Sequence, residues 1–400
     1  MTAAAVKSPE TSVDPFSREF LEEPYARHEA LREIGPVFYL SKYEIWGAAR
    51  YDEVRLALAD HETFCSGRGV GLADFSKEEP WRPPSLLLEA DPPAHTKMRA
   101  IVNAVLNVGA LRALRSSWEE KADRIVRNLI DRGEFDAVSD LAEIFPLSVF
   151  PDAIGIRENG REHLLPYGAL AFNAFGPDNW LRREALAAAK PTIDWVSESC
   201  KRENLTQGGF GRKIFDFVDA GEIAESEAER LVRSFLTAGL DTTVNGIANM
   251  VVAFAANPEQ YQLLRQEREL TRHAFEEVLR WDSTVQTFFR TTTKETTLGG
   301  VRLPEGAKVL LFLAAANRDP RRWPDPEKFD LKRRPVGHVG FGHGIHVCVG
   351  QMVARLEAEI LLEAIAEEIE EIELAAPPKR RLNNTLHAWA SAPVRVKPAR

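Results

Sequence analysis

A mainly α-helical fold with small β-sheets is the class that the pattern of this chain predicts. Long stretches keep the helical spacing of apolar residues, the longest over 225–256 and again after Gly350. Between them lie short aromatic and β-branched runs punctuated by glycine and proline, the signature of small hairpins and meanders.

Taken in order, residues 1–15 are small and polar and are expected to be loose. Pro24 through Leu31 predicts a helix that stops at Gly35-Pro36. Val37–Trp46 predicts a hairpin, and Tyr51–Leu58 a short helix. Gly67-Arg68-Gly69-Val70-Gly71 lacks the Gly-Lys-Ser/Thr of a phosphate loop and reads as an ordinary loop, running on to Trp81-Arg82-Pro83-Pro84-Ser85. Asp91-Pro92-Pro93 opens a helix that puts His95 and Arg99 on one face. A helical pattern covers 111–148 with a break near Gly133. Phe172 and Phe175, three apart, share a face, which most often means a core pair.

The helix predicted over 225–256 breaks a local rule in its middle. Gly239 and the run Asp241-Thr242-Thr243 are poor choices inside an apolar helix, and such conflicts tend to mark functional sites or local bulges. Ser234, Ala238 and Thr242, spaced by four, form a stripe. Ser234 then lies about 12 Å along the axis from Thr242 at ~1.5 Å per residue. Glu277 and Arg280 can pair on one helix face, although most isolated pairs of this kind only decorate a surface. Leu298–Phe312 reads as a meander and Leu382–Val396 as a terminal hairpin.

Composition excludes several classes. A hydrophobic content of 44% with 28% charged residues is ordinary for a globular protein. A net charge of −9 argues against non-specific binding to nucleic acid or an acidic membrane. The N-terminus lacks a signal-like apolar stretch, and the longest apolar run, Met250–Ala256, is far too short to span a bilayer. Cys65, Cys200 and Cys348 are too scattered for a disulfide framework, which fits a reducing cytoplasm.

The most specific stretch is Phe341-Gly342-His343-Gly344-Ile345-His346-Val347-Cys348-Val349-Gly350, directly before a strong helical pattern. Glycine lets the backbone approach a flat partner, and a cysteine at a helix N-terminus sits where N–H groups favour its thiolate. A cysteine in a glycine-rich turn is more often structural than reactive. The whole pattern, however, resembles the haem-thiolate loop of cytochromes P450: Phe, Gly, any, Gly, any, His or Arg, any, Cys, any, Gly.

That resemblance extends over nearly the whole chain and implies a single domain over 16–400, with haem b between the long distal helix and the Cys loop. It implies Cys348 as axial ligand, with Phe341, Gly342 and Gly350 shaping the haem bed. His95, Arg99, Arg290 and His346 match the propionate donors, and Asp241 and Thr242 the acid–alcohol pair that handles protons. Glu277, Arg280 and Arg333 match the structural ion-pair network. Thiolate ligation favours O–O cleavage, the chemistry of a monooxygenase using O2 and two electrons. The chain has no flavin or iron–sulfur segment, so the resemblance implies a [2Fe–2S] ferredoxin and an NADH-dependent flavin reductase as partners.

Within the family the chain resembles the soluble bacterial enzymes that oxidise para-substituted benzoates, such as those that O-demethylate 4-methoxybenzoate to 4-hydroxybenzoate and formaldehyde. The match includes Trp81–Ser85, Phe172–Gly176, Arg233-Ser234 and Val285–Arg290. Arg82, Ser85, Arg233 and Ser234 are then expected to hold a carboxylate. Leu88, Phe172, Phe175, Ala238, Val285 and Phe288 are expected to enclose the ring. Four readings compete: a different small aromatic or terpenoid substrate, a thiol hydrolase with Cys348 as nucleophile, a haem-thiolate sensor, and a peroxide-driven P450, a type that tends to lack the acid–alcohol pair. A hydrolase explains neither the glycines nor the Asp-Thr run, and a sensor does not need Asp241 and Thr242.

Overall fold

The computed structural model describes residues 8–399, about 51% of the chain being helical. In order, the helices are α1 (Arg18–Glu22), α2 (Pro24–Ile34), α3 (Tyr51–Ala59), α4 (Ala94–Val105), α5 (Val108–Arg112), α6 (Arg115–Ile130), α7 (Ile144–Ile154) and α8 (Leu164–Asn173). They continue with α9 (Trp180–Ser199), α10 (Phe210–Asp219), α11 (Glu225–Ala238), α12 (Asp241–Ala256), α13 (Pro258–Gln266), α14 (Thr271–Trp281), α15 (Leu313–Asn317) and α16 (Gln351–Glu368). The strands are β1 (Glu10–Thr11), β2 (Phe38–Leu40), β3 (Ile45–Ala48), β4 (Phe64–Cys65), β5 (Glu134–Asp136), β6 (Thr287–Thr292) and β7 (Thr296–Leu298). After them come β8 (Val301–Leu303), β9 (Lys308–Phe312), β10 (Ile369–Leu374), β11 (Lys379–Arg381), β12 (Ala388–Ser391) and β13 (Pro393–Pro398).

Helix α12 is the centre of the main core. Every residue from Thr243 to Ala255 is buried, most of them apolar, with Asp241, Asn245 and Asn249 forming one buried polar stripe. Ile247, Met250 and Val251 belong to one hydrophobic cluster with Leu361 and Ile365 of α16 and Trp118 and Val126 of α6. A second core lies under the largest sheet, whose order is β1-β2-β3-β9-β6-β4. There β3 runs parallel to β9, and β9 antiparallel to β6.

Four expectations change. The helix over 225–256 is two helices, interrupted at Gly239 and Leu240. A Cβ on Gly239 would lie 2.3 Å from the Phe150 ring, so packing against α7 selects glycine at the break. The pattern over 111–148 is divided by β5 and a wide helical turn over Ala137–Ala142, because Phe135 and its neighbours complete a sheet with β13. The C-terminal stretch is not one hairpin. β12 pairs with β11, whereas β13 lies between β10 and β5. Of the N-terminal segment expected to be loose, Glu10 and Thr11 pair in parallel with Tyr39 and Leu40. Residues 1–7 of that segment lie outside the described residues.

From Arg318 to Gly350 the chain has almost no regular structure, and its shape is set by ion pairs to α14. Arg280 is fully buried and donates from Nε and Nη2 to the two oxygens of Glu277, each at 2.8 Å. It also donates to the carbonyls of Asn317, Pro326 and Lys328. Arg333 donates to Glu277 Oε1 at 3.2 Å and to the carbonyls of Pro324 and Asp325. Buried carbonyls are thus satisfied by charge-assisted donors. Removing one member of such a buried pair strands the other charge. Arg280→Ala is expected to lower stability by about 3–5 kcal/mol, measurable by chemical denaturation and as loss of soluble folded protein.

Candidate active site

The Cys loop is pinned at both ends. His338 Nδ1 accepts from the Gly340 N–H at 3.1 Å, so its Nε2–H points to Glu276 Oε2 at 2.7 Å. Arg355, one turn into α16, donates to both Glu276 oxygens and stacks over the Phe341 ring, with 4.6 Å to its centroid. Burial alone would push Glu276 up. The hydrogen bonds from His338 and Arg355 outweigh it and hold the carboxyl down at about 2.

Within the loop, Cys348 N–H donates to the Phe341 carbonyl at 2.8 Å. Gly342 adopts φ 74°, a left-handed conformation that favours glycine. A Cβ on Gly350 would lie 3.9 Å from Cys348 Sγ, an ordinary contact, so this glycine lies directly beside the sulfur. Burial pushes the Cys348 thiol up, while the N–H of Gly350, then Arg99 and Arg355, pull it down. The expected helix-end stabilisation of the thiolate is therefore present but opposed by depth.

The sequence-selected His95 and His346 come together, their ring centroids 4.4 Å apart. Each has a buried Nε2 with no hydrogen-bond partner. His346 Nδ1 takes the Leu87 carbonyl at 3.1 Å. Burial, Arg290 and His95 push His346 down to about 3. Arg290 is buried and depressed to about 10, chiefly by burial. Arg99 turns elsewhere, donating to the Val347 carbonyl at 2.6 Å and to Ile345, so it supports the Cys loop itself.

On the other side, the break before α12 redirects hydrogen bonds. Thr242 Oγ1 donates to the Ala238 carbonyl at 2.6 Å and Thr243 Oγ1 to Gly239 at 3.0 Å. Ser234 and Ala238 thus lie on α11 and Thr242 on α12, rather than on one straight stripe. Asp241 is 1% exposed. Its Oδ1 accepts from Asn245 at 3.0 Å and from Arg381 at 2.9 Å, while Oδ2 is buried without a partner. Burial pushes the carboxyl up, and Arg381 pulls it back. Arg381, in β11, and Asn245 were not singled out from the sequence; only the tertiary fold brings that strand to α12.

Ser85 and Ser234 also meet, Oγ to Oγ at 3.4 Å. Ser85 Oγ accepts the N–H groups of Leu87 and Leu88, which leaves its hydrogen free to donate. Ser234 spends its own on the Arg230 carbonyl. Arg82 and Arg233 were expected at a carboxylate, but they are engaged in the loop. Arg82 pairs with Glu89 at 3.1 Å, both side chains under 10% exposed, and Arg233 donates to the Pro83 carbonyl at 2.6 Å. Glu89, which no sequence signal marked, also accepts the Ser85 N–H at 2.7 Å.

Phe172 ends α8 and Phe175 lies past its end, yet their rings meet edge-on at 5.8 Å, and Phe175 meets Phe288 at 5.7 Å. Val70 and Leu386 complete this cluster, with Leu88 and Val285 against it.

The cytochrome P450 family model matches residues 216–397. The chain is 54% identical to cytochrome p450 CYP199A2 of Rhodopseudomonas palustris over 98% of its own length and 95% of that protein's. The chain belongs to the cytochrome P450 family. It is 31% identical to the beta-dihydromenaquinone-9 omega-hydroxylase of Mycobacterium tuberculosis over 97% of this chain and 79% of that one. Among solved structures, cytochrome P450 CREJ in complex with (4-ethylphenyl) dihydrogen phosphate superposes with a TM-score of 0.87 at 26% identity, over 96% of this chain and 99% of that one.

A P450 is a monooxygenase that carries haem b on a cysteine thiolate, and the residues present fit that group. Cys348 offers its sulfur beside Gly350. Neutral His346 spends its Nδ1–H on the Leu87 carbonyl, so its unpartnered Nε2 becomes a donor only in the imidazolium form; beside it lie the unpartnered Nε2 of His95 and the buried guanidinium of Arg290. Carboxylates arriving there would bring the opposite charge and make the imidazolium form of His346 favourable.

The pinning makes the loop acid-sensitive. Glu276 sits at about 2 folded against an ordinary 4.5. Its contribution, about 3 kcal/mol by linkage, is present above pH 4.5 and is lost as pH falls toward 2. Glu276→Gln is expected to lower stability at pH 7 and to flatten this acid limb, read from denaturation midpoints between pH 7 and pH 3.

Proposed function

We propose that this P450 oxidises the para substituent of benzoic acids, with 4-methoxybenzoate as the model substrate. The observation that carries the reading is the Ser85–Ser234 hydroxyl pair joined to an aromatic cage of Phe172, Phe175 and Phe288. A short flat acid matches both: a carboxylate takes the free Ser85 hydrogen, and its ring lies against edges and faces of phenylalanine. The likeness to a P450 solved with a para-substituted aryl phosphate supports an anionic aromatic ligand.

The arginines act on this end through the loop. Arg82, Arg230 and Arg233 donate to the carbonyls of Pro83, Pro84 and Pro83 respectively, and so hold Ser85 in place. Glu89 balances one of the three charges, leaving a surplus of positive field for an incoming acid.

When bound, haem on its thiolate supplies oxygen activation with O–O cleavage. The chain supplies His95, Arg290 and His346 to hold the propionates, and Phe341, Gly342 and Gly350 as the bed around Cys348. Thr242 is assigned the proton donor: its hydroxyl, which here donates to the Ala238 carbonyl, would give up that bond to deliver the proton, and Asp241 would replenish it. The raised carboxyl of Asp241 holds a proton readily, its Oδ2 is free, and its Oδ1 is tied to the partly exposed Arg381. The overall balance is one O2, two electrons and two protons per methoxybenzoate, giving 4-hydroxybenzoate, formaldehyde and water.

Electrons come from a redox partner. We assign that partner as an acidic [2Fe–2S] ferredoxin fed by an NADH-dependent flavin reductase, all in the cytoplasm. No described helix is long and apolar enough to cross a membrane. A groove of about 510 Å³ beside α16 is assigned to the ferredoxin: Arg112, Arg115, Arg272 and Arg355 outnumber Glu359 and Glu363 along it, Arg115 pairing with both glutamates, while Arg112 and Arg272 form no salt bridge among the described residues. Cationic rims of this kind steer acidic partners.

An optical titration of the ferric protein tests the reading. 4-Methoxybenzoate is expected to shift the Soret band to shorter wavelength, and its methyl ester to do so far more weakly; equal or absent shifts would sink the benzoate assignment. Ser85→Ala should weaken acid binding about 10- to 100-fold, as for a lost hydrogen bond to a charge, and more than Ser234→Ala. Thr242→Ala should keep consuming NADH with the reconstituted partners while product falls and hydrogen peroxide rises, because a proton donor has been lost.

A further inference from the structure

Three asparagines from separate segments converge beside the aromatic cage. Asn384 N–H donates to Asn173 Oδ1 at 3.0 Å, and Asn384 Nδ2 donates to the Asn173 carbonyl at 2.9 Å. The same Nδ2 donates to Asn179 Oδ1 at 3.1 Å, and Asn179 Nδ2 returns a bond to Asn384 Oδ1 at 2.8 Å, closing a reciprocal amide pair. Asn173 in turn donates to the Ala169 carbonyl. Asn173 and Asn384 are 5% and 3% exposed. Gly176 is part of the fit, since a Cβ there would lie 2.5 Å from Asn384 Cγ.

These bonds join the turn between α8 and α9 to the loop 383–387. That turn carries Phe175, and Thr385 Oγ1 next door donates to the Phe172 carbonyl at 2.9 Å. The loop carries Leu386, which packs with Phe172, Phe175 and Val70. On its other side the turn is held by the Leu72 N–H donating to the Phe175 carbonyl at 2.8 Å and by the packing of the Phe175 ring against Val70 and Phe288. Both hydrogens of the buried Asn384 amide are committed, one to Asn173 and one to Asn179, so separating the two segments breaks these bonds together.

We propose that Asn173, Asn179 and Asn384 form a latch that positions Phe172 and Phe175 and sets how fast bulky molecules reach and leave the haem. It rests on these phenylalanines walling the distal pocket, but not on which substrate is used. Asn179 also caps α9 by accepting the Arg182 N–H, so Asn179→Ser keeps a good cap while deleting the amide pair. Asn384→Asp removes both side-chain donors and places a carboxylate against the Asn173 carbonyl.

Stopped-flow ligation of the ferric holoprotein with 4-phenylimidazole and with cyanide tests the latch without any benzoate. Both variants are expected to raise the on- and off-rates of 4-phenylimidazole several-fold, Asn384→Asp more than Asn179→Ser, while cyanide rates stay put. Hydrogen exchange of the 174–178 amides should quicken in parallel. Unchanged 4-phenylimidazole rates overturn the proposal, as do equal rises for both ligands, which indicate general loosening. If Asn384→Asp fails to retain haem, Asn179→Ser decides the question. Failure of the methoxybenzoate titration leaves this result standing, so the two readings fall separately.

Discussion

Two neighbouring carboxylates on α14 carry the proximal half of this molecule. Glu277 collects Arg280 and Arg333, and Glu276 collects His338 and Arg355. Between Arg318 and Gly350 the chain has almost no regular backbone pairing, so it must obtain its rigidity from side chains. Arginine suits that task because its fixed fork satisfies a carboxylate and several carbonyls at once. The outcome is a sulfur held in one place by groups that never touch it. Such a network is a poor source of net stability but a strong source of definition, since breaking one member leaves charge buried.

The distal half solves the opposite problem. Helix α12 is buried on every side, and its helical pattern would run on from α11 without interruption. Gly239 packs against Phe150, and the hydroxyls of Thr242 and Thr243 take the carbonyls of Ala238 and Gly239. The break therefore costs little in unpaired backbone, and it brings Asp241 to the first position of a new helix, where its charge is tolerated. Burial and Arg381 pull the Asp241 proton in opposite directions, which suits a group that must both hold and release one.

At the substrate end, charge acts at one remove. The arginines spend their hydrogen bonds on proline carbonyls and on Glu89, so the loop bearing Ser85 is stiff before any ligand arrives. A pre-arranged hydroxyl loses less freedom on binding than a mobile guanidinium would. The same economy appears in the asparagine cluster, where reciprocal amide bonds between Asn179 and Asn384 hold the aromatic wall.

The sequence by itself determined the helical class, the Cys loop and its helix, the local conflict at Gly239 and Asp241-Thr242-Thr243, and that Glu277 and Arg280 lie within reach on one helix face. Each rests on short spacing: glycines and cysteine within one loop, hydroxyls four residues from their carbonyls, ions three apart. The family likeness was legible for the same reason. Tertiary structure alone decided what long separations bring together. Arg381 reaches Asp241 because β11 folds across α12, and Asn384 reaches Asn173 because loop 383–387 returns to the end of α8. It also decided which polar groups were already taken. Arg82 and Arg233 looked free for a carboxylate, yet Glu89 and the Pro83 carbonyl stand closer. Local pattern names the groups able to do chemistry, but a buried donor goes to whichever acceptor the whole fold leaves unsatisfied.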